Sequence, residues 1–280
     1  MSIFTSPSLS FPLVNARVEY LPQENPHVAW FCENGKKLWD SNDLSEFSKL
    51  NRRICRTTIV ENENGDAIHS PEHLAPLFLL WPRQHFEVHA EAKELPILDG
   101  SAWPWYKVLR RFAGRPEALC FYEAPLTGEW KWQNGFCQIS PADTLEIEYS
   151  IEHGSYQDSA YLAIYEAEDL LRMFSARTFI FKDDYENAKT RGLLSGADES
   201  CGLLLNTNSE GKLETLVGGS LRHPQEPIFH KILDLLGDIS LPKPILPRLR
   251  IRIHNGGHIA HHQILARLLE YVPSRYPTEA

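Results

Sequence analysis

Apolar and polar residues alternate with a period of two along several stretches, and each such stretch predicts a β-strand. In the first third these are ARVEYLP (16–22) and HVAWFCE (27–33), with turns over Pro22–Pro26 and Glu33–Lys36, and then QHFEVHAE (84–91). The alternation resumes in FCQISP (136–141), DTLEIEYSIEH (143–153), SAYLAIYEA (159–167) and RLRIRIHNGG (248–257). Other stretches predict helices. SPEHLAPLFLLW (70–81) places Ser70 as a cap and Pro71 at the first helical position, with Pro76 limiting or kinking the helix. SAWPWYKVLRRFAG (101–114) stops at Gly114, AEDLLRMFSART (167–178) leads into SARTFIFK (175–182), and DYENAKTRGLL (184–194) follows. PIFHKILDLLGDISL (227–241) and HIAHHQILARLLEYV (258–272) close the series.

Between about residues 115 and 135, Pro116, Pro125 and Gly128 interrupt both periods, and the pattern then begins again. Each side runs through strands, a helix bearing His and acidic residues, a strand and a closing helix. The chain is therefore expected to be α+β, built as two related domains over residues 1–121 and 122–280. Its 280 residues suit two domains at roughly 150 residues each.

Charge narrows the partners. Lys plus Arg is 28 and Asp plus Glu is 37, a net charge of −9 with no long basic run. Nucleic acid or an anionic membrane is not the expected partner. No stretch of about 18 apolar residues could span a bilayer, and the N-terminus lacks the pattern of a secretory signal. Five scattered cysteines, Cys32, Cys55, Cys120, Cys137 and Cys201, fit reduced thiols in a cytoplasm. A cytoplasmic monomer acting on a small molecule is expected.

Twelve histidines concentrate the candidate chemistry. Glu72-His73 opens a predicted helix, where adjacent side chains diverge by about 100°, so one can bind a metal while the other reaches a bound water. The pair also reads as an ordinary polar first turn. His230 and Asp234 stand at i and i+4 on one helix face, with Asp238 one turn on, a spacing that grips an ion or merely forms a solvated stripe. Asn255-Gly256-Gly257-His258 joins a strand to a helix; a His after such a turn can act as an acid, or the turn can be only a turn. His261 and His262 imitate a metal cluster with His258 but read better as surface or supporting residues. His85 and His89 lie in an alternating strand and read as structural. Trp103, Trp105, Trp130 and Trp132 read as packing, with Trp130 and Trp132 able to share one exposed strand face.

There is no Walker A sequence, no G-x-G-x-x-G and no G-x-S-x-G. Taken together, the first three candidates supply two histidines and a carboxylate, a three-ligand zinc set with an open position, plus a neighbouring base and a separate acid. That is a complete set for metal-assisted amide hydrolysis.

These residues also carry a resemblance. The chain resembles the zinc-dependent UDP-3-O-acyl-N-acetylglucosamine deacetylases (LpxC) of lipid A biosynthesis. The matching segments are Ser70-Pro71-Glu72-His73-Leu74, Glu94-Leu95-Pro96-Ile97-Leu98-Asp99-Gly100-Ser101-Ala102, Ala176-Arg177-Thr178-Phe179 and Arg191-Gly192-Leu193. His230-Lys231-Ile232-Leu233-Asp234 through Gly237-Asp238, and Gly257-His258, complete the set in the family's order. The resemblance implies two similar α/β sandwich domains enclosing a zinc site. It implies zinc on His73, His230 and Asp234, Glu72 as base and His258 as acid. Asp238 would orient His258, Thr178 would donate to the oxyanion, and Lys231 and Phe179 would line the substrate site.

The chain also departs from the family. Phe11-Pro12-Leu13-Val14-Asn15-Ala16 stands where the family has a G-x-G-L-H-S-G turn, and Asn255-Gly256-Gly257-His258 replaces Lys-Ser-Gly-His. Gly196-Ala197-Asp198-Glu199-Ser200-Cys201 stands where the family has Gly-Gly-Ser-Leu-Asp-Asn beside its acyl passage. Two acids buried there would repel a lipid. The expected activity is a zinc-dependent deacetylase of an N-acetylated, sugar-like substrate, nucleotide-linked or lipid-linked carriers included. The alternatives are the family's own reaction and a non-catalytic ligand-binding paralogue.

Overall fold

The computed structural model describes residues 1–21, 26–54, 57–191, 193–208 and 210–276. Residues 22–25 of the expected Pro22–Pro26 turn, Cys55, and Gly192 of the Arg191-Gly192-Leu193 segment lie outside them. The first half contains strands β1 (Ser2–Ser6), β2 (Val14–Leu21), β3 (His27–Phe31), β4 (Lys37–Asp40), β5 (Asn51–Ile54), β6 (Thr58–Glu61), β7 (Ala67–His69) and β8 (His85–Ala90). Its helices are α1 (Leu44–Lys49) and α2 (Trp103–Ala113). After them come β9 (Phe121–Glu123), β10 (Gly128–Trp132), β11 (Gly135–Pro141), β12 (Leu145–His153) and β13 (Tyr156–Ile164). Helix α3 (Ala167–Phe174), β14 (Phe179–Phe181), α4 (Lys182–Thr190), β15 (Leu203–Thr207) and β16 (Leu213–Val217) follow. Helix α5 (Glu226–Ser240), β17 (Leu246–His254) and α6 (His258–Leu268) end the chain.

Two larger sheets organise the fold. One runs β1-β2-β8-β3-β4, the other β10-β11-β17-β12-β13 with β9 paired to β17. Two three-stranded sheets, β5-β6-β7 and β14-β15-β16, stand apart from them. Sequence alternation sets which face of each strand is buried. In β12, Leu145, Ile147, Tyr149 and Ile151 are buried while the residues between them are not; β17 does the same with Leu249, Ile251 and Ile253. Helix α5 is buried on almost every side, and its buried residues include the polar Glu226, His230, Asp234, Asp238 and Ser240 as well as its apolar face. Trp39, stacked on Trp30 at 4.8 Å, donates its indole N–H to the Leu241 carbonyl at 3.1 Å just beyond the C-terminal end of α5.

One expected helix is absent. Residues 70–81 form two short 3-10 turns, Pro71–His73 and Ala75–Leu80, and Ser70 makes no side-chain cap. Pro76 has no N–H to donate to the carbonyl of Glu72 four residues back, and its ring would collide with that carbonyl in an α-helix. The helix expected over 167–178 ends at Phe174, because the residues beyond it turn to bring Thr178 against Gly100.

Candidate metal centre

The two 3-10 turns pack on α5, and one glycine sets the closeness. A Cβ at Gly237 would collide with the Glu72 carbonyl. That carbonyl is the one Pro76 frees from helical bonding, so the turn and the helix approach backbone to backbone. The contact places His73 opposite the first turns of α5.

There His73, His230 and Asp234 converge. Their ligand atoms lie within 4.8 Å of one another and all three side chains are buried. His73 Nε2 is 3.5 Å and His230 Nε2 3.2 Å from Asp234 Oδ1. The His73 and His230 rings meet edge to face at 5.0 Å. His230 Nδ1 lies 3.1 Å from the Ala176 carbonyl. A carbonyl only accepts, so the ring hydrogen is on Nδ1 and Nε2 offers a lone pair. Burial lowers the pKa of His230, outweighing the pull of Asp234, and keeps the ring neutral. A lone pair therefore faces a carboxylate oxygen that has no hydrogen-bond partner among the described residues. Burial would raise the Asp234 pKa, but the positive charge of Lys231, whose Nζ reaches its other oxygen at 2.9 Å, favours the anion and holds the pKa below the usual range. Two imidazoles and an anion around a point lacking a hydrogen fit a divalent cation of zinc type.

A second cluster has the opposite character. Asp238, fully buried, accepts from His258 Nδ1 at 2.7 Å and His261 Nδ1 at 2.8 Å on Oδ2, and from Thr58 Oγ1 at 2.5 Å on Oδ1. His262 Nε2 lies 2.9 Å from Thr58 Oγ1, and His261 Nε2 lies 3.1 Å from the Tyr149 hydroxyl. The spacing alone would admit a metal at Asp238, His258 and His261. Hydrogens occupy it instead, since each ring meets the carboxylate through its own N–H. His261 and His262 are buried supports of this cluster, not surface residues. Burial would lower the pKa of His258, but Asp238 raises it to about 9.

Glu72 lies between the two clusters, 3 % exposed. Its Oε1 accepts from the Thr57 hydroxyl and, at 3.3 Å, from Thr58 N–H, and stands 3.7 Å from His258 Nε2. Its Oε2 is buried with no hydrogen-bond partner among the described residues. Burial raises the Glu72 pKa despite the neighbouring His258 and His73.

A cavity of about 1060 Å³ opens beside these groups, reached by His258, Thr178, Phe179 and Lys231. Behind that lining, the Phe179 ring meets His230 edge to face at 6.3 Å and Lys231 reaches Asp234. Lys231 sits over the Phe179 ring at 5.4 Å. One wall is apolar, with Ile180, Leu194, Leu203, Leu204 and Val217. Another carries Trp130 and Trp132, adjoining Asn255 and Gly256. Asp198 and Glu199 do border the cavity, but both are exposed, and Asp198 is hydrogen-bonded to Ser200. The segment lies at the cavity as expected, and its two carboxylates are exposed to solvent there, not buried. Asn255 is occupied too, accepting from Glu152 N–H at 2.6 Å and donating to the Asn134 carbonyl at 2.9 Å. His85 stacks on His27 at 3.6 Å and His89 on Phe31 at 4.5 Å, on the β3–β8 ladder and apart from both clusters. The sequence reading missed Thr57, Thr58 and Tyr149, whose strand patterns differ in nothing from ordinary buried polar positions.

An α+β fold that gathers a buried His-His-Asp set defines a candidate metal-binding protein. The chain belongs to the UDP-3-O-acyl N-acetylglycosamine deacetylase (LpxC) family, whose sequence profile matches residues 14–270. It is similar to the UDP-3-O-acyl-N-acetylglucosamine deacetylase of Aquifex aeolicus, 29% identical over 223 residues, 75% of this chain and 76% of the relative. The enzyme of that name from Synechocystis is 25% identical over 215 residues, 74% and 75% of the two chains. The one from Phenylobacterium zucineum is 29% identical over 209 residues, 70% and 68% of the two.

Proposed function

We propose that the chain is a zinc-dependent N-deacetylase that removes the acetyl group of UDP-3-O-acyl-N-acetylglucosamine in lipid A biosynthesis. The observation that carries this is the unpartnered Asp234 oxygen facing the His73 and His230 ring nitrogens. The apolar wall of the cavity suits an acyl chain, and Asp198 and Glu199, which border the same cavity, are exposed to solvent and so carry no burial cost against it. Zinc held by His73, His230 and Asp234 would polarise the amide carbonyl and acidify a water.

The chain's own residues supply the rest. Glu72, with Oε1 engaged and Oε2 free, accepts a proton from the attacking water. Thr178, on the cavity wall, donates to the oxygen that becomes anionic. His258 delivers a proton from Nε2 to the leaving nitrogen, while Asp238 holds Nδ1 and keeps the ring charged at neutral pH. Lys231 and Phe179 bind substrate beside the metal ligands. The division at residues 121 and 122 is proposed on the same footing: β1–β8 supply one larger sheet and β10–β17 the other. We read the protein as a cytoplasmic monomer, in keeping with the buried thiols of Cys32, Cys137 and Cys201.

The test pairs metal analysis with a deacetylation assay on the acylated nucleotide sugar and on free N-acetylglucosamine. One zinc per chain and turnover of the acylated substrate are expected. Metal-free protein with full activity, or preference for the unacylated sugar, would overturn the metal or the substrate assignment respectively.

A further inference from the structure

Glu94 is 1 % exposed, and nothing in the reaction above uses it. Its Oε2 accepts from the Ser8 hydroxyl and the Ser10 backbone N–H, each at 3.0 Å. Its Oε1 accepts from Ser70 Oγ at 3.1 Å. Ser70 Oγ lies 2.8 Å from Thr57 Oγ1, and the Thr57 hydroxyl in turn donates to Glu72 Oε1. Two buried carboxyls are thus bridged by two buried hydroxyls: Thr57 O–H serves Glu72, and the single Ser70 O–H is shared between Glu94 Oε1 and Thr57 Oγ1. Ser70 sits in the row with φ of 59°. A non-glycine residue keeps a left-handed backbone only where its surroundings impose it. Here the Ser70 N–H donates to the Thr58 carbonyl at 2.9 Å, and its hydroxyl is held between Thr57 and Glu94.

The row determines how Glu72 is presented. Thr57 and the Thr58 N–H both engage Oε1, so rotation of the carboxylate is blocked and Oε2 is the oxygen left without a partner. We propose that Glu94 is a positioning residue for Glu72, acting through Ser70 and Thr57; this rests on the reading of Glu72 as the base. The far end of the row reaches the substrate cavity. Leu9, between the two serines that grip Glu94, lines that cavity and also a second one of about 150 Å³ shared by Thr57 and Glu94. A ligand pressing on Leu9 bears on the segment that holds Glu94, and through it on the aim of the base.

Four variants of the full chain test this: Thr57→Val, Thr57→Ser, Ser70→Ala and Glu94→Gln. Glu94→Gln keeps the shape of the side chain, so it guards against loss through misfolding. Supporting residues one step removed from a reacting group typically cost ~10- to 100-fold when removed. Thr57→Val and Glu94→Gln should lower kcat by about tenfold or more at unchanged KM and unchanged bound zinc, and Thr57→Ser should recover most of the loss. Crystal structures of Thr57→Val and Glu94→Gln should show the Glu72 carboxylate rotated or split between rotamers, a readout that needs no substrate. Glu72 in one unchanged rotamer in both variants would overturn the proposal, as would kcat losses matched by equal losses of zinc and melting temperature. If the unaltered protein fails to deacetylate the acylated sugar, the functional reading falls, while the Glu72 rotamer still decides the positioning.

Discussion

The first larger sheet and the second share one plan. In each, an antiparallel pair (β1-β2, β10-β11) joins a late-arriving strand (β8, β17) that lies antiparallel to it and parallel to the next strand (β3, β12), with an antiparallel edge (β4, β13) completing the set. The connections correspond too. Helix α1 answers α3, the sheet β5-β6-β7 answers β14-β15-β16, and α2 answers α6. The 3-10 turns of residues 71–80 answer the fifteen-residue α5. The halves differ most at this last pair. Pro76 interrupts the first member, whereas Pro227 in α5 sits in the opening turn, where its missing N–H costs nothing. The long helix can carry His230, Asp234 and Asp238 on successive turns. The interrupted one exposes a carbonyl and brings Glu72 and His73 against it. The candidate centre arises because equivalent segments of the two halves were given different backbones and then packed together.

The sharpest way to break this picture is to remove one ligand from each side. His73→Ala and His230→Ala should each abolish zinc binding at micromolar free metal and cut activity by about 10³-fold or more, since even a supporting residue costs ~10- to 100-fold. Elemental analysis and turnover of the two proteins check it. If His73→Ala retains a full equivalent of zinc, the first half contributes no ligand and the centre belongs to α5 alone.

Base and acid are divided between the halves in the same way. Glu72→Gln and His258→Ala should keep zinc yet each lose about 10²-fold or more in kcat. Steady-state kinetics at matched zinc loading decide this, and an unchanged kcat in either protein removes that residue from the reaction.

The packing of the two halves has its own test. Gly237→Ala places a methyl group against the Glu72 carbonyl, and overpacking of this kind costs ~1–3 kcal/mol. Denaturant unfolding should show that loss, with kcat falling alongside because the displaced group carries the base. A fully stable Gly237→Ala protein would mean that α5 and the turn are not held at backbone distance.

Subtler is the pH dependence. Asp238 raises the His258 pKa to about 9, so activity that needs the protonated ring holds at neutral pH and falls as pH rises through about 9. The same sign applies to stability: a pKa raised above the unfolded value of 6.5 gives a contribution fully present below 6.5 and lost as pH passes about 9. Asp238→Asn removes the anion responsible, and the alkaline limb of the kcat profile should move to lower pH. A limb that stays in place assigns it to another group.

Much of this was legible in the chain, for identifiable reasons. Strands β2, β11, β12, β13 and β17 alternate because one face of each is buried, and the apolar residues of α5 mark it as a helix. His230 and Asp234 share a helix face by spacing alone. The helix at 70–81 was misjudged because Ser70-Pro71 mimics a helix start, while the decisive residue was Pro76 and the partner that rewards the distortion, Gly237, lies far along the chain. Thr57, Ser70 and Glu94 could not be linked in advance for a similar reason. Their relation exists only once β6 and the Glu94 segment flank the 3-10 turn. Asp198 and Glu199 border the cavity as their place in the chain suggests, but sequence alone does not show that they stay exposed to solvent there.

Those two acids supply the smallest expected effect and contrast the two three-stranded inserts. Thr57 and Thr58, at the start of the first insert, engage the base and Asp238, whereas β14-β15-β16 and the loop before β15 only wall the cavity. Asp198 is exposed and hydrogen-bonded to Ser200, which keeps its pKa low, and Glu199 is exposed. Exposed charges are screened over about 8–10 Å at ordinary ionic strength, so neither should weigh much on an acyl chain in the apolar wall. Asp198→Asn combined with Glu199→Gln should therefore change KM for the acylated nucleotide sugar by less than about twofold, a difference under ~0.4 kcal/mol, and leave kcat alone. A KM that drops tenfold or more in this double variant would show that the acids repel the acylated substrate despite their exposure. It would also return a smaller, less lipophilic N-acetyl compound to first place among the substrates.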